Sequence, residues 1–161
     1  MFNLKAEIYL RIIFIFSLTA LIFAYFIEHA LGHQPCNLCL IERIPYGLSI
    51  ILISIIFLFK RNEKFIILLL ILTFIFSFAI SLYHLGIEQG FFKESSVCGV
   101  KNFSEQITKE ELINQLSKMS VNCKDVTFRI FGLSLTTINV VIGLLFIITL
   151  IKTYFQYEKN K

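Results

Sequence analysis

Two cysteines separated by two residues, Cys36 and Cys39, are the first sign of chemistry in this sequence. A Cys-x-x-Cys spacing is typical of a redox-active dithiol that is readily oxidised and reduced. Two further cysteines, Cys98 and Cys123, bring the count to four. An even count in an oxidising compartment indicates two disulfides, so we expect Cys36 to pair with Cys39 and Cys98 with Cys123.

Two other uses of these cysteines are weaker interpretations. A structural zinc site usually needs two close ligand pairs, and Cys98 and Cys123 are far apart in sequence. The i, i+4 spacing of His29 and His33 leaves a weak metal interpretation open, but we expect no metal. Purely structural bridges are the other possibility, although a bridge across two residues removes little entropy from the unfolded chain.

Two basic or titratable residues are candidates for the same chemistry. Arg43 follows Cys39 by one helical turn, where a cation can stabilise a thiolate. It can equally reach towards lipid head groups, as interfacial arginines often do. His84 can give a proton or a hydrogen bond to a bound electron carrier, or it can be an inert interfacial histidine.

Four other polar residues have simpler expectations. Glu42 either pairs with a cation or is solvated. Glu28 and Glu88 are expected to be solvated at the ends of apolar blocks. Asn139 lies inside an apolar block, so we expect it to hydrogen-bond to a neighbouring helix.

The rest of the chain indicates where this chemistry takes place. Its 161 residues are 57% hydrophobic and 16% charged, with a mean hydropathy of +0.77. Because an average soluble domain carries about 25% charged residues, this composition excludes a water-soluble globule, a disordered tail and a nucleic-acid-binding domain. Four apolar blocks are long enough to cross a bilayer as helices, at about 8–27, 44–59, 65–85 and 133–151.

We therefore expect a single all-α membrane domain over residues 1–161, a four-transmembrane-helix bundle. Its outer loops cover about 28–43 and 86–129 and hold all four cysteines. The second block is short, and we expect it to continue upstream through Leu40 and Ile41, with Pro45 near its start, where a proline costs little. In the longer loop, Thr108 and Glu111 form a capping-box pattern ahead of a small apolar face. That face predicts a short amphipathic helix, either on the membrane surface or as an ordinary loop helix.

Basic side chains orient the bundle, because Lys and Arg are concentrated in cytoplasmic segments of membrane proteins. They crowd near both termini and in the turn between the second and third blocks. These residues are Lys5, Arg11, Lys60, Arg61, Lys64, Lys152, Lys159 and Lys161. We expect both termini in the cytoplasm and the cysteines on the periplasmic side, where bacterial thiols are oxidised.

Together these motifs resemble the disulfide bond formation protein B family, the quinone-dependent thiol oxidases of the bacterial inner membrane. The matching stretches stand in the family's order between spans in the family's positions. They are Gln34–Tyr46, Tyr83–Gly90, Cys98, Cys123, Phe128–Leu135 and Asn139. Relatives often carry Trp where this chain has Phe91, Phe92 and Phe128.

The resemblance implies a protein-disulfide oxidoreductase that supports disulfide bond formation. A reduced periplasmic thioredoxin-fold thiol oxidase, the DsbA-like partner, would attack the Cys98–Cys123 disulfide through Cys98. Cys123 would then exchange with the Cys36–Cys39 pair, and Cys39 would pass the electrons to membrane quinone, either ubiquinone or menaquinone. The residues that the resemblance assigns to quinone binding are Arg43 and His84.

Three alternatives compete with this interpretation. A vitamin-K-epoxide-reductase-like thiol oxidoreductase also has four helices, but its Cys-x-x-Cys follows the loop pair, whereas here it comes first. A non-enzymatic assembly factor would carry two structural disulfides. A transporter or channel would place ionisable residues within its spans, and the central parts of these blocks have none.

Overall fold

Four long helices make up most of the structure. The computed structural model describes residues 4–59, 63–93, 123, 129–130 and 132–159. The helices are α1 (Leu4–His29), α2 (Asn37–Phe59), α3 (Glu63–Glu88) and α4 (Leu135–Lys159). All four are long and apolar enough to cross a membrane, which confirms the expected all-α four-helix membrane bundle.

The helices form a closed ring of antiparallel neighbours. Helices α1 and α3 each pack against both α2 and α4. One end of the bundle therefore holds the end of α1, the start of α2, the end of α3 and the start of α4. We call it the cysteine end, because Cys36 and Cys39 lie there. Large apolar side chains such as Ile15, Ile51 and Leu145 are exposed on the outside of the ring, as lipid-facing residues are in a membrane.

On each helix, one line of residues, which we call its seam, faces the other helices, and the seam residues recur at spacings of three and four. This spacing is typical of helices that pack at a small crossing angle. Towards the opposite end the seam is apolar, and towards the cysteine end it becomes small or polar. The seam residues are Ala6, Leu10, Ile13, Ser17, Ala20 and Ala24 in α1; Leu38, Glu42, Pro45, Ser49 and Ile53 in α2; Ile67, Leu70, Phe74, Ser77, Ser81 and His84 in α3; and Thr136, Asn139, Gly143, Phe146 and Leu150 in α4.

The start of α2 differs from the sequence expectation. The second block is expected to continue upstream through Leu40 and Ile41, but the helix begins still earlier, at Asn37. Cys36 caps it there, and the polar residues of this stretch find partners on other helices, so much of the expected outer loop 28–43 is helical. Pro45 consequently lies inside α2 rather than in its first turn. Its missing N–H removes the hydrogen bond to the carbonyl of Ile41.

The start of α4 also differs by two residues. Two short strands, β1 (Arg129–Ile130) and β2 (Leu133–Ser134), pair antiparallel just before the helix. Gly132 turns the chain between them with a φ of 83°, a left-handed conformation that favours glycine. Helix α4 therefore begins at Leu135 instead of 133. Cys98 and the helix expected after Thr108 lie outside the described residues.

Replacing Phe74 by Ala should destabilise the bundle by about 3–5 kcal/mol. Phe74 is 0% exposed and packs edge-to-face against Phe146 at 5.0 Å between ring centroids, so truncation leaves a cavity. Unfolding by denaturing detergent measures the free energy. Phe76→Ala is the matched control, because Phe76 is 56% exposed on the same helix. Equal losses in the two variants would contradict this packing.

Candidate functional site

Cys36 and Cys39 lie at the N-terminus of α2 and form a disulfide with each other. Cys36 is the residue before the helix, and its carbonyl accepts the backbone N–H of Leu40 at 3.2 Å. Its Sγ accepts the backbone N–H of Cys39, also at 3.2 Å. The sulfur thus occupies the place of an N-cap oxygen. A helix N-terminus stabilises negative charge on such a sulfur after reduction.

His84 joins this pair from α3. Its side chain is 3% exposed, and its Nε2 lies 3.6 Å from the Sγ of Cys36. Its Nδ1 lies 2.9 Å from the Oε1 of Glu42. The hydroxyl of Thr136 lies 3.3 Å from the same Nδ1. The histidine is therefore buried against the disulfide, between acceptor groups on both ring nitrogens.

Glu42 is the centre of a polar network that the sequence left open between pairing and solvation. The residue is 8% exposed, so the solvated alternative is wrong. Its Oε2 accepts a hydrogen bond from Nδ2 of Asn139 at 2.9 Å. Asn139 also donates to the Oγ of Ser81 at 2.9 Å and accepts from the hydroxyl of Tyr46. This confirms the expected interhelical role of Asn139.

Glu88 and Glu28 are also paired, contrary to the expectation that they are solvated. The side chain of Glu88 is 7% exposed, and its Oε1 accepts the hydroxyl of Thr136 at 2.6 Å. The same oxygen lies 3.9 Å from Nε2 of His84. The Oε2 of Glu28 accepts from Arg43 at 2.5 Å. Each carboxylate therefore accepts a hydrogen bond from a donor on another helix.

Arg43 is held in place on two sides. Besides its ion pair with Glu28, its guanidinium lies over the ring of Tyr25 at 5.1 Å from the centroid. Its side chain is 16% exposed, which does not fit an arginine that extends to lipid head groups. The structure therefore favours the interpretation in which Arg43 belongs to the site.

A cleft of about 390 Å³ connects these groups. It lies at the cysteine end between α1 and α4, where the small seam residues Ala20 and Ala24 leave space. Its wall is apolar on the side of α1, whereas the opposite wall carries charge and sulfur. The residues of that second wall include Cys36, Cys39, Glu42, Arg43, His84, Glu88 and Cys123.

Cys123 is brought to the pair from a distant part of the sequence. It is 3% exposed, is itself disulfide-bonded, and packs in one cluster with Cys36, Leu38 and Ile87. Cys98 lies outside the described residues. The structure thus gathers Cys36, Cys39, Arg43, His84 and Cys123 around one cleft. Their assignment as catalytic or quinone-binding residues stays a prediction.

Sequence reasoning did not single out Tyr46, Ser81 or Thr136, which complete the polar network. The spacing of polar residues in the sequence could have indicated them. Glu42 and Tyr46 have an i, i+4 spacing, and Ser81, His84 and Glu88 follow the three-four spacing of one helix face. Three polar residues on one face of an apolar block indicate a face that is buried against polar partners.

Comparisons with known proteins identify the family of this chain. A family model described as "Disulfide bond formation protein DsbB" matches residues 6–153. That range contains every residue of the cleft and of the polar network. An uncharacterized protein of Rickettsia prowazekii (strain Madrid E) is 31% identical over 148 residues, which covers 90% of this chain and 86% of the relative.

Replacing Asn139 by Leu should lower the free energy of unfolding by about 1–3 kcal/mol. Leu has a similar size but leaves the Glu42 carboxylate and the hydroxyls of Ser81 and Tyr46 without the amide that joins them. Thr149→Val on the same helix is the control. Its hydroxyl bonds only locally to the carbonyl of Leu145 at 2.8 Å, so we expect a change within about 0.5 kcal/mol. Equal losses of unfolding free energy in the two variants would contradict a structural role for the network.

Proposed function

Because this chain belongs to the disulfide bond formation protein DsbB family, we propose that it is a membrane thiol:quinone oxidoreductase. It reoxidises a periplasmic thioredoxin-fold thiol oxidase of the DsbA-like kind and passes the electrons to membrane quinone. One observation carries this proposal. A disulfide at a helix N-terminus, Cys36–Cys39, opens onto a cleft between membrane-spanning helices, next to a buried histidine and an ordered arginine.

The partner supplies two electrons through exchange reactions. Its thiolate attacks Cys98 of a Cys98–Cys123 disulfide and frees the Cys123 thiolate. Cys123 then attacks Cys36, which releases Cys39 as a thiolate. Cys123 is buried in one cluster with Cys36, which supports Cys36 as the sulfur that Cys123 attacks.

The partner leaves oxidised when its second thiolate attacks its bond to Cys98. The freed Cys98 thiolate attacks Cys123, restores the first disulfide and releases Cys36. The two electrons then lie on Cys36 and Cys39, as a dithiol. Each of the four exchange steps breaks one sulfur–sulfur bond and forms another, so the net change is the loss of the Cys36–Cys39 bond and the gain of one disulfide in the partner.

His84 is suited to the release of Cys36. Its ring nitrogens face the carboxylates of Glu42 and Glu88 and the sulfur of Cys36, all of them acceptors. A proton held at Nε2, 3.6 Å from Sγ, stabilises the departing Cys36 thiolate. Glu42 keeps the ring in this orientation, because it fixes the other nitrogen.

The cleft fits a quinone ring. A planar ring with two carbonyl oxygens needs an apolar slot and a hydrogen-bond donor, and the cleft offers an apolar wall from α1 and the guanidinium of Arg43. A bound quinone would supply a two-electron acceptor more oxidising than a protein disulfide. Arg43 has five N–H groups, more than the one oxygen of Glu28 accepts, so it can also donate into the cleft.

The orientation follows from the same proposal. The cysteine end faces the periplasm, and both termini lie in the cytoplasm of a bacterial inner membrane. The basic residues at the opposite end support this arrangement. Arg11 lies there, with its guanidinium 6.0 Å from the ring centroid of Phe57. Lys64 lies there too, with its Nζ 5.1 Å from the ring centroid of Tyr154.

The first test is quinone-dependent oxidation of a reduced thioredoxin-fold oxidase by the purified protein in detergent. We expect turnover by the unchanged protein and none by Cys36→Ser or Cys98→Ser, because each removes a sulfur that the relay needs. Arg43→Ala should raise the KM for quinone about tenfold or more, since a charge-assisted hydrogen bond contributes about 1.5–3 kcal/mol.

Arg11→Ala is the control for charge, because Arg11 lies at the opposite end and its side chain is 65% exposed. An unchanged protein that leaves the partner reduced with both ubiquinone and menaquinone would count against the proposal. The disulfides would then be structural, as in an assembly factor.

Ala24→Leu tests the cleft itself. The larger side chain points into the space that the proposal gives to quinone, so the KM for quinone should rise while thiol exchange with the partner keeps its rate. Single-turnover exchange without quinone and steady-state oxidation with quinone separate the two steps. Ala79→Leu, on the exposed face of α3, is the matched control. A normal quinone KM in Ala24→Leu would place quinone elsewhere.

A further inference from the structure

We propose that the reduced form of this site binds a thiophilic divalent cation of the zinc class through Cys36, Cys39 and His84. The Sγ atoms of the two cysteines and a ring nitrogen of His84 all lie within 4.8 Å of one another. Zinc in proteins takes sulfur and imidazole ligands in tetrahedral geometry. Cys36 and Cys39 form one close ligand pair in the sequence, and the fold adds the third ligand, His84, from another helix.

The distances suit a metal ion. Tetrahedral ligands at about 2.3 Å for sulfur and 2.0–2.1 Å for nitrogen lie about 3.5 Å from each other. The Nε2 of His84 is 3.6 Å from the Sγ of Cys36 before any adjustment. A Cys-x-x-Cys with its Cα atoms 5.1 Å apart holds both sulfurs on the same side of the chain, as zinc-binding pairs do.

The surroundings orient and balance the ligands. Glu42 accepts at Nδ1 of His84, and a carboxylate behind a histidine is the usual support of a metal-bound imidazole. The backbone N–H of Cys39 already donates to the Sγ of Cys36, which offsets charge on a metal-bound thiolate. Glu88, whose Oε1 is 3.9 Å from Nε2 of His84, adds negative charge beside the three ligands, and the cleft gives the ion a way in.

Binding depends on the oxidation state of the cysteines. A disulfide sulfur is a poor ligand, whereas a dithiol that binds Zn²⁺ releases two protons and supplies two thiolates. The reductant that opens the disulfide is a dithiol or phosphine. The two thiolates formed in this way lie next to two buried carboxylates, and this concentration of negative charge favours a divalent cation. A bound ion then holds both sulfurs and His84, so the reduced protein cannot be reoxidised until the ion leaves.

Cobalt is the probe, because thiolate-bound Co²⁺ absorbs in the near ultraviolet and its visible bands report tetrahedral geometry. The full chain carries Cys98→Ser and Cys123→Ser, so that only the proposed ligands remain, and it is reduced with a phosphine under anaerobic conditions. We expect one Co²⁺ per chain, its displacement by Zn²⁺, and no binding by the oxidised protein. Neither quinone nor a thiol partner is present, so the result is independent of the proposed function.

His84→Gln should weaken binding by about 100-fold or more, since loss of a group that only orients a ligand already costs about 10–100-fold. His29→Gln is the matched control, because His29 hydrogen-bonds to the carbonyl of Tyr25 in its own helix. X-ray absorption of the zinc-loaded parent needs no histidine variant and should show two sulfur ligands and an imidazole. Absence of cobalt binding, equal binding by His84→Gln in folded protein, or a zinc spectrum without imidazole would overturn the proposal.

Discussion

The hydrogen bond between Glu42 and His84 is the interaction on which the rest of the site depends. It joins α2 to α3 at the level of the cysteine pair, where the Glu42 carboxylate is largely buried and needs hydrogen-bond donors from the protein. Asn139 ties the same carboxylate to α4, so one group fixes the relative depth of three helices. Among the described residues, no buried side-chain nitrogen or oxygen lacks a hydrogen-bond partner. A shift of any one of these three helices would leave some of these buried polar atoms without a partner.

The two halves of the seam differ in composition: one half is a packed apolar core, and the other half carries the polar residues of the candidate site. At the opposite end, apolar residues such as Leu10, Ile67 and Leu150 fill the centre and are 0% exposed. At the cysteine end, small residues of α1 face polar residues of α2, α3 and α4. The same three-four spacing thus produces a packed core in one half and a lined cleft in the other. Because lipid gives no hydrophobic drive for helices to associate, the polar contacts also contribute to assembly.

Much of this arrangement could be predicted from the sequence. Four apolar blocks predicted four spans, and the Cys-x-x-Cys was placed correctly beside the start of α2. The acidic residues could not be placed, because solvation is the usual state of Glu28, Glu42 and Glu88 near a helix end. Only the register of neighbouring helices brings donors to each of them. The same register brings His84 next to Cys36. The two residues are 48 positions apart in the sequence, so no local spacing pattern could have predicted this contact.

The cap of α2 has a consequence for the energetics of electron transfer. The Sγ of Cys36 accepts its backbone hydrogen bond while it is part of the disulfide, and a thiolate accepts the same bond more strongly. The helix therefore keeps its first turn in both oxidation states, and its backbone has little to rearrange when the sulfur–sulfur bond opens or closes. Because one backbone hydrogen bond serves both forms of the pair, a change of oxidation state at Cys36 need not be transmitted to the rest of the bundle.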